Sequence, residues 1–266
     1  MRFKFGFIGA GNMGGTLLLS VAQKLGFGQV CATDHHPEKL QTAVDVYGVF
    51  PTDSKTLALN SDFIVMGVKP QVMAKAFDEI KEELSVNKDA VIISMAAGLS
   101  TSDIEALAGG NRAVIRIMPN TPCAVSEGVI LYTANDKVNA DAIKNFVSAF
   151  TLAGILDKLD EQKMDAGMAL SGCSPAFTYM FAEALADSAV LCGLPREKAV
   201  AYTAKVLIGA GRMIEEYGHI SDLKDAVCSP GGTTIEGVHA LEQGGMRGVV
   251  MDAVKKSFEK SKQLKK

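Results

Sequence analysis

The 266-residue sequence predicts an α/β domain built on a parallel sheet, followed by a second domain made only of helices. Three observations carry that expectation. From Phe3 to about Leu159, short β-branched apolar runs alternate with helical stretches, the pattern of strands joined by covering crossovers. After about Asp160 the strand signal stops and helical periodicity takes over. A glycine-rich turn, Gly9-Ala10-Gly11-Asn12-Met13-Gly14, falls between the first strand and the first helix. The expected division is residues 1–160 and residues 161–266.

In order along the first domain, strands are expected at Phe3–Gly9, Gln29–Asp34, Asp62–Val68, Ala90–Ala96 and Ala113–Met118. Helices are expected at Met13–Leu25, Pro37–Tyr47, Pro70–Leu84 and Ser100–Leu107, several opened by the proline or serine that suits a first turn. Runs at Val129–Tyr132 and Gly154–Leu159 extend the sheet, with Val138–Phe150 helical between them. The second domain reads as helices at Glu161–Leu170, Pro175–Cys192, Pro195–Tyr217, Leu223–Cys228, Thr233–Gln243 and Met246–Leu264. Stretches such as Ala176–Ala182 and Val200–Met213 are apolar around much of the helix and leave little polar face for solvent. Subunits are therefore expected to pack through this domain, as a homodimer or a larger homo-oligomer.

Composition narrows the function. Apolar residues make up 48% and charged residues 21%, ordinary globular usage, and no apolar run approaches the length needed to span a bilayer. No membrane role is expected. The start runs straight into a strand pattern without a signal peptide's apolar region, which reads as a cytoplasmic protein. Five scattered cysteines, none in a Cys-x-x-Cys pair, argue against a disulfide framework and a zinc site, so no metal is expected. A formal net charge of −3 offers no general attraction to nucleic acid.

The glycine-rich turn fits G-x-G-x-x-G in its informative context, after a strand and opening a helix, and marks a Rossmann-like dinucleotide-binding domain. The first glycine allows the tight turn, the second lets a pyrophosphate approach the backbone, and the third lets helix and strand pack closely. The anion then lies at a helix N-terminus, where unpaired amides favour negative charge. Asp34 ends the second strand where an acid would bind the adenosine ribose hydroxyls, which taken alone favours NAD. His35 and His36 follow directly, and an imidazole would equally receive a 2′-phosphate, so the choice between NAD and NADP stays open. Two further strand ends, Gly67-Val68-Lys69-Pro70 and Met95-Ala96-Ala97-Gly98, fall at the same carboxyl edge, where small residues leave room for a nicotinamide ring. Lys69 either orients substrate or faces solvent, and Pro70 suits the first residue of a helix.

In the second domain the informative stretch is Ser229-Pro230-Gly231-Gly232-Thr233-Thr234-Ile235. Ser229-Pro230 ends one helix, two glycines free the backbone, and Thr233 and Thr234 begin another helix with Glu236 in its first turn. Amides and hydroxyls at a helix start suit a small carboxylate; a glycine hinge with a threonine cap accounts for the same residues.

Together, Phe7–Met13, Val68-Lys69-Pro70, Ala96-Ala97-Gly98, Arg116-Ile117-Met118-Pro119-Asn120-Thr121-Pro122, Ser171–Ala176 and Ser229–Ile235 resemble the pyrroline-5-carboxylate reductase family, in order and at fitting separations across essentially the whole chain. The resemblance implies an NAD(P)H-dependent reduction of a cyclic imine to L-proline. It implies an interlocked dimer through the helical domain, with each active site taking its nucleotide domain from one subunit and its substrate loop from the other. It implies cofactor contacts at Ile8, Gly9, Ala10, Gly11, Asn12, Met13, His36, Ser54, Gly67, Val68, Lys69, Pro70, Met95, Ala96 and Ala97, to which the residue reading adds Asp34. Substrate contacts are implied at Ser229, Gly232, Thr233 and Thr234. On this reading Ser229 and the Gly232 and Thr233 amides hold the carboxylate, and the Thr234 hydroxyl, the expected catalytic group, serves the ring nitrogen. Asp34 with its two histidines departs from common family versions, which touches the NADPH preference and not the reaction.

Two rival readings fall behind. A β-hydroxyacid dehydrogenase uses a lysine on an early interdomain helix, and the corresponding stretch here, Met168–Phe177, has none. A nonenzymatic nucleotide sensor has no need of the Ser229–Thr234 loop.

Overall fold

Aromatic and branched side chains of the first strand point alternately to both faces of a sheet, and both faces are covered. The strands are β1 (Phe3–Ile8), β2 (Val30–Thr33), β3 (Phe50–Pro51), β4 (Ser61–Met66), β5 (Val91–Ser94), β6 (Val114–Met118), β7 (Gly128–Ala134) and β8 (Gly154–Lys158). They form one sheet in the order β3-β2-β1-β4-β5-β6-β7-β8. Neighbours are parallel except β7, which runs antiparallel to β6, with Arg116 opposite Thr133. The order reverses between β2-β1 and β4, the switch point at which open α/β sheets bind ligands beyond the strands' carboxyl ends.

One face is covered by α1 (Asn12–Leu25), α2 (Gln41–Tyr47) and α7 (Ala140–Phe150), which bury Leu17, Val21, Ala43, Phe146 and Phe150 against Phe5, Phe7 and Ile117. Phe5 stacks on Phe63 at 4.6 Å. The other face carries α3 (Ser54–Asn60), α4 (Met73–Glu79), α5 (Lys81–Val86) and α6 (Thr101–Leu107), with Leu57, Phe77, Leu84 and Ile104 packed on Ile64, Met66 and Ile92. α3 was not among the expected elements. It is a short helix whose N-cap, Asp53, accepts the Thr56 amide at 2.9 Å.

The structure describes residues 1–263 of this computed structural model, so Leu264, the expected end of the last helix, lies outside the described residues. Met1–Gly172, joined by the chain end from Phe258, forms one unit and Cys173–Ser257 another. α8 (Met164–Ser171) lies in the first. The second contains α9 (Ser174–Leu191), α10 (Arg196–Tyr217), α11 (Ile220–Ala226) and α12 (Thr233–Gln243), and α13 (Met246–Gln263) begins in it.

Several expected bounds are corrected. Pro37–Tyr47 opens with a 3-10 turn over Pro37–Leu40 before α2. Pro70–Leu84 is a 3-10 turn followed by two helices that break at Ile80, whose backbone leaves the helical region at φ −116°, ψ 11°. The helix expected at Leu223–Cys228 is shifted to Ile220–Ala226, because the positive-φ His219 turns the chain and lets the helix start at once.

Candidate functional site: a nucleotide groove and an uncapped helix start

β1 ends in a turn that is shaped from both sides. The Gly9 amide donates to the Thr33 oxygen and the Gly67 amide to the Ile8 oxygen, each at 2.8 Å, so the glycine loop is fixed between β2 and β4. Gly9 takes φ +99°, which disfavours any side chain there. A Cβ at Gly14, or at Gly67, would lie 2.4 Å from the Gly9 oxygen, so helix and loop touch through bare backbone. Gly11 differs: its backbone is ordinary extended chain at φ −65°, and a Cβ there would meet nothing within 4 Å. The fold itself does not require glycine at 11. Gly11 is also the N-cap of α1, with no side-chain cap and no acid in the first turn, so the helix presents uncompensated amides over open space. A dinucleotide's pyrophosphate fits that cradle, and the residues present match the group.

A groove of about 470 Å³ runs from this loop. It is lined by Ile8, Gly9, Gly11, Asp34, His36, Ser54, Gly67, Val68 and Lys69 among the residues expected from sequence. Ala10 lies buried beneath it, Asn12 and Met13 form the first turn of α1, and Pro70 opens the next 3-10 turn. Met95, Ala96 and Ala97 follow β5 at the same carboxyl edge, without lining the groove. Sequence reasoning missed Lys39, Asp53 and Lys75, which also line it. Asp53 carried a readable signal, an acid three residues before Thr56 at a helix start.

Asp34 faces the groove but is already engaged. Its Oδ2 accepts the Ala10 amide at 2.7 Å, its Oδ1 accepts the His36 amide at 2.9 Å, and Lys39 Nζ stands 3.6 Å from Oδ1. Burial pushes this carboxyl's pKa up; the His36 and Ala10 amides and Lys39 outweigh it and hold the group below its ordinary value. The His36 imidazole faces Glu38 at 3.3 Å on the surface.

The Arg116–Pro122 stretch has a supporting role. Arg116, fully buried on β6, lies 3.5 Å from both Glu161 and Asp165. Glu161 in turn accepts the Thr101 amide at 2.7 Å and the Thr101 hydroxyl at 2.8 Å, tying the start of α6 to the residues before α8. Asn120 accepts the Val129 amide at 2.8 Å and donates to the Ser171 oxygen at 3.0 Å.

In the second unit, the Gly232 amide donates to the Ser229 oxygen at 3.0 Å and Gly231 has φ +66°, a turn in which Pro230 and Gly231 occupy the positions that suit them. Gly232, not a threonine, is the N-cap of α12, and no side chain caps it. Thr233 and Thr234 are exposed in its first turn. Among the described residues, no group of three His, Cys, Asp or Glu side chains is placed to hold a metal ion.

A doubly wound sheet with a glycine loop opening onto a groove at its switch point defines a dinucleotide-binding protein. The model for NADP oxidoreductase, coenzyme F420-dependent, matches residues 4–98, and that for pyrroline-5-carboxylate reductase dimerisation matches residues 161–264. The chain is 38% identical to the pyrroline-5-carboxylate reductase of Escherichia coli, over 100% of each chain. Among solved structures, it superimposes on a pyrroline-5-carboxylate reductase from Coxiella burnetii with a TM-score of 0.90 at 32% identity, covering 100% of both chains. It superimposes on the Plasmodium falciparum enzyme with NADP bound at a TM-score of 0.88 and 31% identity, covering 99% of this chain and 98% of that one. The chain belongs to the pyrroline-5-carboxylate reductase family and is an NAD(P)H-dependent oxidoreductase.

Proposed function

We propose that the chain reduces the C=N bond of 1-pyrroline-5-carboxylate to give L-proline, the last step of proline biosynthesis. Residues 1–160 hold the nucleotide, and residues 161–266 hold the substrate and form the subunit contact. The observation that carries the substrate half is the start of α12, where Gly232 leaves the first-turn amides without a side-chain cap beside two exposed threonines.

A reduced nicotinamide dinucleotide supplies the hydride when bound. Gly9–Met13, Gly67–Pro70 and Met95–Ala97 hold it at the carboxyl edge of the sheet. Ser229 and the Gly232 and Thr233 amides anchor the substrate carboxylate, using the charge preference of a helix start. The Thr234 hydroxyl orients the ring nitrogen. Threonine is too weak an acid to donate a proton outright near neutral pH, so the nitrogen takes its proton from solvent and Thr234 fixes the geometry. Positioning is the main source of acceleration.

A second copy of the chain covers the helices of the second unit. α9 buries only Ala186 by itself, and α10 only Ala199 and Thr203, while Tyr179, Met180, Val206 and Ile208 are exposed. Such a face is an association surface. All five cysteines are free thiols, which fits work in the reducing cytoplasm. No helix among the described residues is long and apolar enough to cross a membrane.

The test is an assay of the purified protein with the imine and each reduced nucleotide. Nucleotide oxidation matched by proline formation is expected. No imine-dependent oxidation with either nucleotide overturns the proposal.

A further inference from the structure

The groove also discriminates between the two nucleotides, an inference that rests on reading it as the dinucleotide site. Asp34 lies at the end of β2 on the groove wall, with its side chain only 9% exposed. Two backbone amides hold it, one from Ala10 in the glycine loop and one from His36. Turning the carboxylate away would strip both amides of their partner, and Ala10 is buried. The negative charge is therefore fixed in place.

What that carboxylate can still accept decides the ligand. A carboxylate offers about four acceptor positions, and two amides with one ammonium leave room for a hydroxyl donor. A ribose 2′-hydroxyl is such a donor. A 2′-phosphate is an acceptor carrying a charge of about −1.5 to −2, and it meets a like charge that cannot move.

Three of the groups that would compensate are already engaged. The His36 amide, a backbone donor at this corner, is spent on Asp34. Lys39 is paired with Asp34, and the His36 imidazole with Glu38. Asp53 adds a second carboxylate to the wall, engaged in capping α3. His35, Lys69 and Lys75 also line the groove, Lys75 at 4.0 Å from Glu79, and they would offset part of the repulsion without removing the fixed charge of Asp34.

We infer that this groove selects NADH over NADPH, and that Asp34 is the residue that sets the choice. The test is calorimetric titration of the full-length protein with NADH and NADPH, and with 5′-AMP and adenosine 2′,5′-bisphosphate to isolate the adenosine end. Wild type should bind NADH at least about tenfold more tightly than NADPH, with the same order for the two adenosine probes. Asp34→Asn keeps one carbonyl acceptor and removes the charge, and should raise the NADPH-to-NADH affinity ratio by about tenfold. Equal or tighter binding of NADPH by wild type overturns the inference and leaves the reductase assignment standing. An unchanged ratio in a folded Asp34→Asn protein overturns the role of Asp34. Binding of neither nucleotide overturns the groove reading and this inference with it. Thermal melting reports whether Asp34→Asn folds, and the wild-type titration decides the selectivity by itself if it does not.

Discussion

Alanine at Gly11 and alanine at Gly14 add the same methyl group to one loop, and the structure assigns them opposite consequences. At Gly11 the backbone is one that any residue adopts, and the new Cβ meets nothing within 4 Å. Replacing a compatible glycine gains about 0.4–1 kcal/mol through the unfolded chain. Alanine is a poorer N-cap than glycine by a similar amount, so the two effects nearly cancel and the melting temperature should stay within about 2 °C. At Gly14 the Cβ would sit 2.4 Å from the Gly9 oxygen, a backbone atom held by the sheet, where ordinary contact begins at 3.4 Å. Overpacking of that kind costs about 1–3 kcal/mol, and better helix propensity returns less than about 1 kcal/mol of it. A loss of roughly 2–8 °C follows for a unit of this size. Nucleotide binding reverses the order of interest: the Gly11→Ala methyl fills the space over the uncapped start of α1, and affinity should fall at least about tenfold, or 1.4 kcal/mol, with no loss of fold. Thermal melting and calorimetric titration with NADH and NADPH measure both quantities on both variants. Wild-type nucleotide affinity in Gly11→Ala would refute the placement of a pyrophosphate on Gly11, and an undiminished melting temperature in Gly14→Ala would refute the steric argument.

Other outcomes follow from the same geometry. Thr234→Ala should lower kcat and kcat/KM together, by a factor on the order of 10²–10⁴, with nucleotide affinity unchanged and much of the activity restored by Thr234→Ser; near-wild-type kcat in a folded Thr234→Ala would remove the hydroxyl from the mechanism. The protein should sediment as a dimer or larger at micromolar concentration, and an active, stable monomer would show that the apolar helices of the second unit are covered in some other way. Arg116→Met should destabilise by about 3 kcal/mol, because it removes the buried cation 3.5 Å from the buried Asp165, and a denaturation midpoint equal to wild type would show that this contact contributes little.

How much of this was legible depends on how local each cause is. The glycine loop was readable because strand, turn and helix start occupy one run of residues, and the spacing of the glycines reports steric limits met within that run. The break at Ile80 was not. Met73, Phe77, Ile80 and Leu84 are all buried at i, i+4, i+7 and i+11, a spacing that one straight helix and two helices in succession satisfy equally well. α3 was hidden for another reason: seven residues with only Leu57 and Ala58 buried carry too little periodicity, and the Asp53 cap was its sole signal. The antiparallel direction of β7 was not given by apolar alternation, which says nothing about which way a strand runs; its mark was the short connection after Met118, too short for a parallel crossover.

The site divides along the same line. Asp34 was visible as an acid at a strand end, and from that position alone it pulls against the two histidines that follow. The selectivity inferred for it rests instead on partners that sequence patterns do not display, because the Ala10 and His36 donors are backbone amides that any residue would supply. Arg116 was likewise visible in a motif, while the acids that face it lie 45 and 49 residues further along the chain. Side chains whose meaning rests on a distant partner are silent in a single sequence. For Arg116 that partner set has a consequence for the loop after β5: Glu161 holds the Thr101 amide at the start of α6, only a few residues after Ala97. Disturbing Arg116 is therefore expected to loosen the loop beyond β5 as well as the fold, so nucleotide affinity in Arg116→Met should be compared with stability before any part in the reaction is assigned to that guanidinium.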